Sequence, residues 1–91
     1  MDRKEAESIR EIAEEHGATR IRIFGSLARG TARPESDLDL LVDLQPGRDL
    51  LDLIAIKQDL EERLGRRVDV VTERSLSPYL RDQVLKEAVA I

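Results

Sequence analysis

Apolar residues recur at helical spacing in two stretches of the chain and at every second position in two others. Ile9, Ile12 and Ala13 give one stripe to a helix over about Arg3 to Glu15, opened by Asp2 with Glu5 three residues on, the spacing of a capping box. His16-Gly17 fits the end of that helix, where a cation favours the dipole and glycine closes the turn; this structural role is assigned to the only histidine. A short apolar strand follows, about Arg20 to Phe24, and Leu27 to Thr31 then reads as a short helix. Leu38 to Leu44 is a second strand, with Leu38, Leu40 and Val42 on one face, and Gln45-Pro46-Gly47 ends it. Asp49 begins a long helix to Leu64, closed by Gly65. Leu50, Leu53, Ile54, Lys57, Leu60 and Leu64 follow its spacing, with Lys57 the polar exception. Leu51, Ala55 and Ile56 fall outside that stripe, a surplus that is either extra core contact or a partner surface. A third strand spans about Arg67 to Val71. Ser77 and Pro78 open a last helix to about Glu87, and Ala88 to Ile91 is an apolar tail for a short strand or a docking contact. This alternation predicts an α/β sandwich with a small sheet.

The chemistry sits at the start of the second strand. Asp37 and Asp39 are two residues apart, so in a strand they project to one face while the leucines point into the core. Two adjacent carboxylates raise each other's pKa unless a cation lies between them, and hard oxygen ligands favour Mg²⁺ or Mn²⁺. Gly25 and Ser26 lie between the first strand and the short helix, an arrangement that turns backbone N–H groups and a helix dipole toward an anion. Gly25 permits close backbone approach to a phosphate, and Ser26 either caps the helix or donates its hydroxyl to a phosphate oxygen. Arg29 and Arg33, otherwise ordinary surface arginines, can neutralise a polyphosphate. In the third strand Val68 and Val70 face the core and Asp69 the opposite side. Should that strand lie beside the second, three carboxylates converge.

Composition narrows the reading further. At 91 residues the chain is expected to be one domain, 1–91, near the smaller end of what folds unaided. Acids outnumber bases 19 to 15 for a formal charge of −4, which argues against a nucleic-acid-coating surface. There are no cysteines, hence no disulfide or thiolate metal site. The charged, helical N-terminus is unlike a signal segment and no apolar stretch is long enough to span a membrane, so a cytoplasmic location is expected.

Gly25, Ser26, Ala28, Arg29, Gly30, Arg33, Ser36, Asp37 and Asp39 spell G-S-x-A-R-G-x-x-R-x-x-S-D-x-D, nine specified positions in fifteen. This pattern resembles the minimal nucleotidyltransferases (MNT proteins) of the DNA polymerase beta superfamily. The resemblance implies the nucleotidyltransferase fold, with a mixed sheet flanked by helices and the first two strands antiparallel. It also implies that Gly25 and Ser26 bind nucleotide phosphates, that Asp37 and Asp39 hold two Mg²⁺ ions, and that Asp69 completes the site. Members of the family often run several residues beyond the position of Ile91. The function implied is that of an antitoxin transferring AMP from ATP to a tyrosine of a HEPN-domain ribonuclease toxin. So small a domain leaves little room for an acceptor pocket, which a partner is expected to complete. Two alternatives stand beside this: an antitoxin acting by binding alone, and a small-molecule nucleotidyltransferase, whose extra acceptor-binding mass is lacking here.

Overall fold

The computed structural model describes residues 1–33 and 36–91; Pro34 and Glu35, two unspecified positions of the Gly-Ser motif, lie outside the described residues. Helices α1 (Arg3–Glu15), α2 (Ser26–Arg29), α3 (Leu50–Leu64) and α4 (Pro78–Glu87) alternate with strands β1 (Ala18–Phe24), β2 (Leu38–Leu44), β3 (Val68–Val71) and β4 (Val89–Ala90). The caps explain the helix bounds. The Asp2 carboxylate accepts from the Glu5 amide at 2.8 Å, and Ser77 caps α4 with Pro78 behind it. A complete reciprocal capping box, between Asp49 and Asp52, opens α3. At Asp2 the Glu5 side chain turns instead to Arg66, at 3.3 Å. His16 ends α1 as expected, and its Nε2 also meets the Asp59 carboxylate of α3 at 2.8 Å.

The strands form one mixed sheet in the order β3-β2-β1-β4. β1 and β2 are antiparallel, β2 and β3 parallel, and the apolar tail pairs antiparallel with β1 as the short edge strand β4. β1 starts two residues earlier than the apolar run alone suggests, at Ala18, with a register shift between Ala18 and Arg20. A 3₁₀ turn at Glu73–Ser75, which the hydrophobic pattern does not announce, links β3 to α4.

Leu38, Leu40 and Val42 are fully buried, as the alternation requires, against Ile9, Ile12 and Ala13 of α1 and Ile56 and Leu60 of α3. Leu41 and Val84 are buried as well, outside that main cluster. The face of α3 differs from the expected stripe. Ile56 has no exposed surface, whereas Leu50 and Leu51 are 67% and 71% exposed and Ile54 is 40% exposed. The buried line runs Leu53, Ile56, Leu60, Leu64, and an apolar surplus on both sides of it had left its rotation open in the sequence. Lys57 stands beside this line for a reason. Its Nζ donates to the Val68 carbonyl at 2.8 Å and to Glu61 at 3.0 Å, while Glu61 accepts the Val68 amide at 3.0 Å. Two side chains thereby satisfy the outward backbone groups of Val68 in the edge strand β3. The Val68 amide and then Lys57 hold the Glu61 carboxyl below its ordinary pKa.

The burial contrast on α3 has a measurable consequence. Ile56→Ala should cost about 2–5 kcal/mol, and Leu51→Ala should stay within about 0.5 kcal/mol of wild type. Urea unfolding of both variants checks this; equal losses would show that α3 does not pack through Ile56.

Candidate active site

Three elements converge at the start of β2. Leu38 donates to the Arg67 carbonyl at 2.9 Å, and from this rung onward β2 and β3 run in parallel register, with Asp39 opposite Asp69. Phe24, the last residue of β1, pairs with Asp39 from the other side. The turn that follows Phe24 therefore falls beside the Asp39 carboxylate. Gly25 has φ 72° and ψ −151°, and a Cβ there would collide with Asp39 Oδ2, so only glycine fits.

The electrostatics follow from this crowding. Burial, then the Asp69 and Asp37 charges, push the Asp39 carboxyl up to about 6; Arg29 acts in the opposite direction. Asp69 is within hydrogen-bonding reach of Asp39 once one of the two carries a proton. Arg22, buried beside Leu41 in β1, places its Nη2 3.6 Å from Asp43 farther along the same face. Among the described residues, no three acidic or histidine side chains already stand in a metal-holding arrangement. The donor set nevertheless fits a hard divalent cation: the Asp39–Asp69 pair, with Asp37 at its edge, is all carboxylate oxygen, and its mutual repulsion is what a cation relieves.

The remaining motif residues are placed unevenly. Ser26 is the first residue of α2, and the cap position belongs to Gly25, with no side-chain cap. The capping role considered for Ser26 is thus replaced by a hydroxyl at the turn itself. Arg29 is the cation that acts on Asp39, and it also pairs with Glu87 of α4 at 3.1 Å. Arg33 is exposed; its amide donates to the Ser36 hydroxyl at 2.8 Å and its carbonyl accepts from the Ser36 amide at 2.9 Å. Glu87 was invisible to sequence reasoning. It lies 62 positions from Gly25, yet it accepts the Gly25 amide at 2.9 Å. No local spacing signals such a contact.

A carboxylate pair on adjacent strands, a Gly-Ser turn against it and an α/β fold with this sheet order define a nucleotidyltransferase. Residues 6–91 match the family model of the nucleotidyltransferase domain, and the chain belongs to that family. It groups there with the minimal nucleotidyltransferases. A solved structure assigned to that group is 53% identical and superimposes with a TM-score of 0.85 over 98% of this chain and 91% of that one. The protein adenylyltransferase MntA of Thermococcus cleftensis is 40% identical over 82 residues, covering 90% of this chain and 83% of the relative. A toxin–antitoxin complex solved with AMP-PNP contains a chain 28% identical, with a TM-score of 0.80 over 93% of this chain and 70% of that chain.

Proposed function

We propose that this chain transfers AMP from ATP to a tyrosine hydroxyl of a HEPN-type ribonuclease toxin and so serves as its antitoxin. The observation that carries the reading is the Asp39–Asp69 pair in register beside the Gly25–Ser26 turn. The likeness to MntA and to the toxin–antitoxin chain crystallised with AMP-PNP supports both the nucleotide and the partner. No helix of the described residues is long and apolar enough to cross a membrane.

Asp37, Asp39 and Asp69 would hold Mg²⁺, two ions being expected; bound there, the metal supplies charge neutralisation for the triphosphate and the acceptor oxygen. The protein's own groups do the positioning. Ser26 holds the β- and γ-phosphates through its hydroxyl, at a turn that Gly25, lacking a side chain, lets them approach closely; Arg29 offsets their charge, with Arg33 as a further cation on the segment. Asp69, the more exposed of the pair, takes the proton of the acceptor hydroxyl as its oxygen attacks the α-phosphorus. The bond from the α-phosphorus to the bridging oxygen then breaks and pyrophosphate leaves. No covalent intermediate on the enzyme is required, since orientation and charge stabilisation lower the barrier.

The test is a mass measurement. Incubating the partner toxin with this protein, Mg²⁺ and ATP should add AMP to a toxin tyrosine, and the toxin should stay inactive once the antitoxin is removed. An antitoxin acting by contact alone gives stoichiometric, ATP-independent and reversible inhibition. That inhibition would survive Asp39→Asn, because the exposed apolar residues Leu50, Leu51 and Ile54 are untouched by the change. Unmodified toxin mass together with full protection by the Asp39 variant would overturn the transferase reading.

A further inference from the structure

Glu87 is the last residue of α4, and its carboxylate is divided between two parts of the Gly-Ser motif. Oε1 accepts the Gly25 amide at 2.9 Å, and the two oxygens accept from Arg29 Nη1 at 3.3 and 3.1 Å. The Gly25 carbonyl meanwhile accepts the Arg29 amide at 3.1 Å. Gly25 is thus tied at its nitrogen by α4 and at its oxygen by α2, and Arg29 is tied at both backbone and side chain. The next residues after Glu87 strengthen the link: Val89 and Ala90 pair with Ile23 and Arg22, directly ahead of Phe24 and Gly25.

This pattern exceeds what a structural anchor needs. One acceptor oxygen would satisfy the Gly25 amide. The formal charge and the second oxygen go to Arg29, whose side chain is half exposed while that of Glu87 is largely covered. A long arginine left loose samples many rotamers, and each one lost on binding costs free energy. Held by Glu87, Arg29 is directed to the neighbourhood of Asp39 in advance.

We propose that Glu87 is a positioning residue for nucleotidyl transfer: it fixes the Gly25–Ser26 turn and orients Arg29, making the α4–β4 segment part of the active site. The proposal rests on the transferase reading above. The full chain with its toxin partner tests it, using Glu87→Ala and Glu87→Gln. Each variant is compared by thermal midpoint, by AMP-PNP affinity with Mg²⁺, and by the rate of AMP incorporation well below the midpoint. Glu87→Ala should slow transfer by about a hundredfold while weakening nucleotide binding less than about tenfold, the split expected when geometry rather than contact is lost. Glu87→Gln keeps an acceptor for the Gly25 amide and loses the charge facing Arg29, so it should recover an intermediate rate at an unchanged midpoint. Adding Arg29→Ala to Glu87→Ala should cost less than the sum of the two single losses, because the part of Arg29's effect that depends on Glu87 is already gone. A Glu87→Ala or Glu87→Gln enzyme with the wild-type rate overturns the proposal alone. So does either variant binding AMP-PNP more tightly and transferring faster, which would make Glu87 a competitor for the phosphate position. A wild-type chain that neither binds AMP-PNP nor transfers AMP overturns the reaction and this proposal together.

Discussion

Replacing Asp37 and Asp39 together by Asn should abolish AMP transfer, by about a thousandfold or more, and Mg·ATP binding with it, while the metal-free protein becomes more stable near neutral pH. Both effects have one origin. Asp39 ionises against burial, Asp69 and Asp37, which puts its carboxyl at about 6 in place of the ordinary 3.8. The folded state therefore holds this proton more tightly than the unfolded chain does. The stability that follows is fully present below pH 3.8 and is lost as pH rises through 6. At pH 7 wild type retains none of it, and the neutral variant should be ahead by about 1–2 kcal/mol once solvent screening is allowed for. The advantage should shrink toward pH 4. Mg²⁺ should reverse the order by stabilising wild type alone, and more at pH 7 than at pH 5, since carboxylate ligands bind metal only when deprotonated. Thermal melts with and without Mg²⁺ at the two pH values, with calorimetry of Mg·ATP binding, read all of this. Equal Mg·ATP affinity in the double variant would remove Asp37 and Asp39 from the site.

What the sequence made legible was chiefly what is local. Asp2, Asp49, Ser77-Pro78 and Gly65 marked helix ends because capping is a matter between residues a few positions apart. The period-two run through Leu38, Leu40 and Val42 set the face of β2, and with it the side of Asp39. The convergence of Asp69 on Asp39 was only conditional, because parallel pairing across α3 depends on how that helix packs on the sheet. Ile56 was left open between core contact and partner surface for a related reason: seven apolar residues from Leu50 to Leu60 allow more than one buried face, and contact with α1 and the sheet selects one. Lys57 read as an exception because its partners, the backbone groups of Val68, lie on another element. Glu87 carried no signal at all. Charged residues at helix ends are ordinary, and only the return of α4 to β1 turns this one toward the motif.

Gly25→Ala should be damaging out of proportion to the one methyl group it adds, and the structure separates its two causes. The first is backbone strain: φ 72° with ψ −151° is a region essentially confined to glycine. The second is collision, since the new Cβ falls on Asp39 Oδ2 and comes within 3.2 Å of its Cγ. Either the turn opens, breaking the hydrogen bond from the Gly25 amide to Glu87, or Asp39 swings away from Asp69. Together these should cost about 2–4 kcal/mol, on the order of 10–25 °C in midpoint for a domain this size, and transfer should be lost even in the fraction that remains folded. Gly30→Ala is the natural control. Gly30 also has positive φ, 75°, but a Cβ there meets nothing within 4 Å, so only the left-handed backbone penalty of about 1 kcal/mol applies. Adding Asp39→Ala to Gly25→Ala isolates the collision. Truncation removes the carboxyl and leaves Asp39 Cβ at 3.5 Å, an ordinary contact, so the double variant should recover about 1 kcal/mol or more relative to additive losses. Additive losses, or a Gly25→Ala variant no weaker than Gly30→Ala, would mean that the turn is not held against Asp39, and the phosphate-binding role of Gly25 would lose its geometric basis.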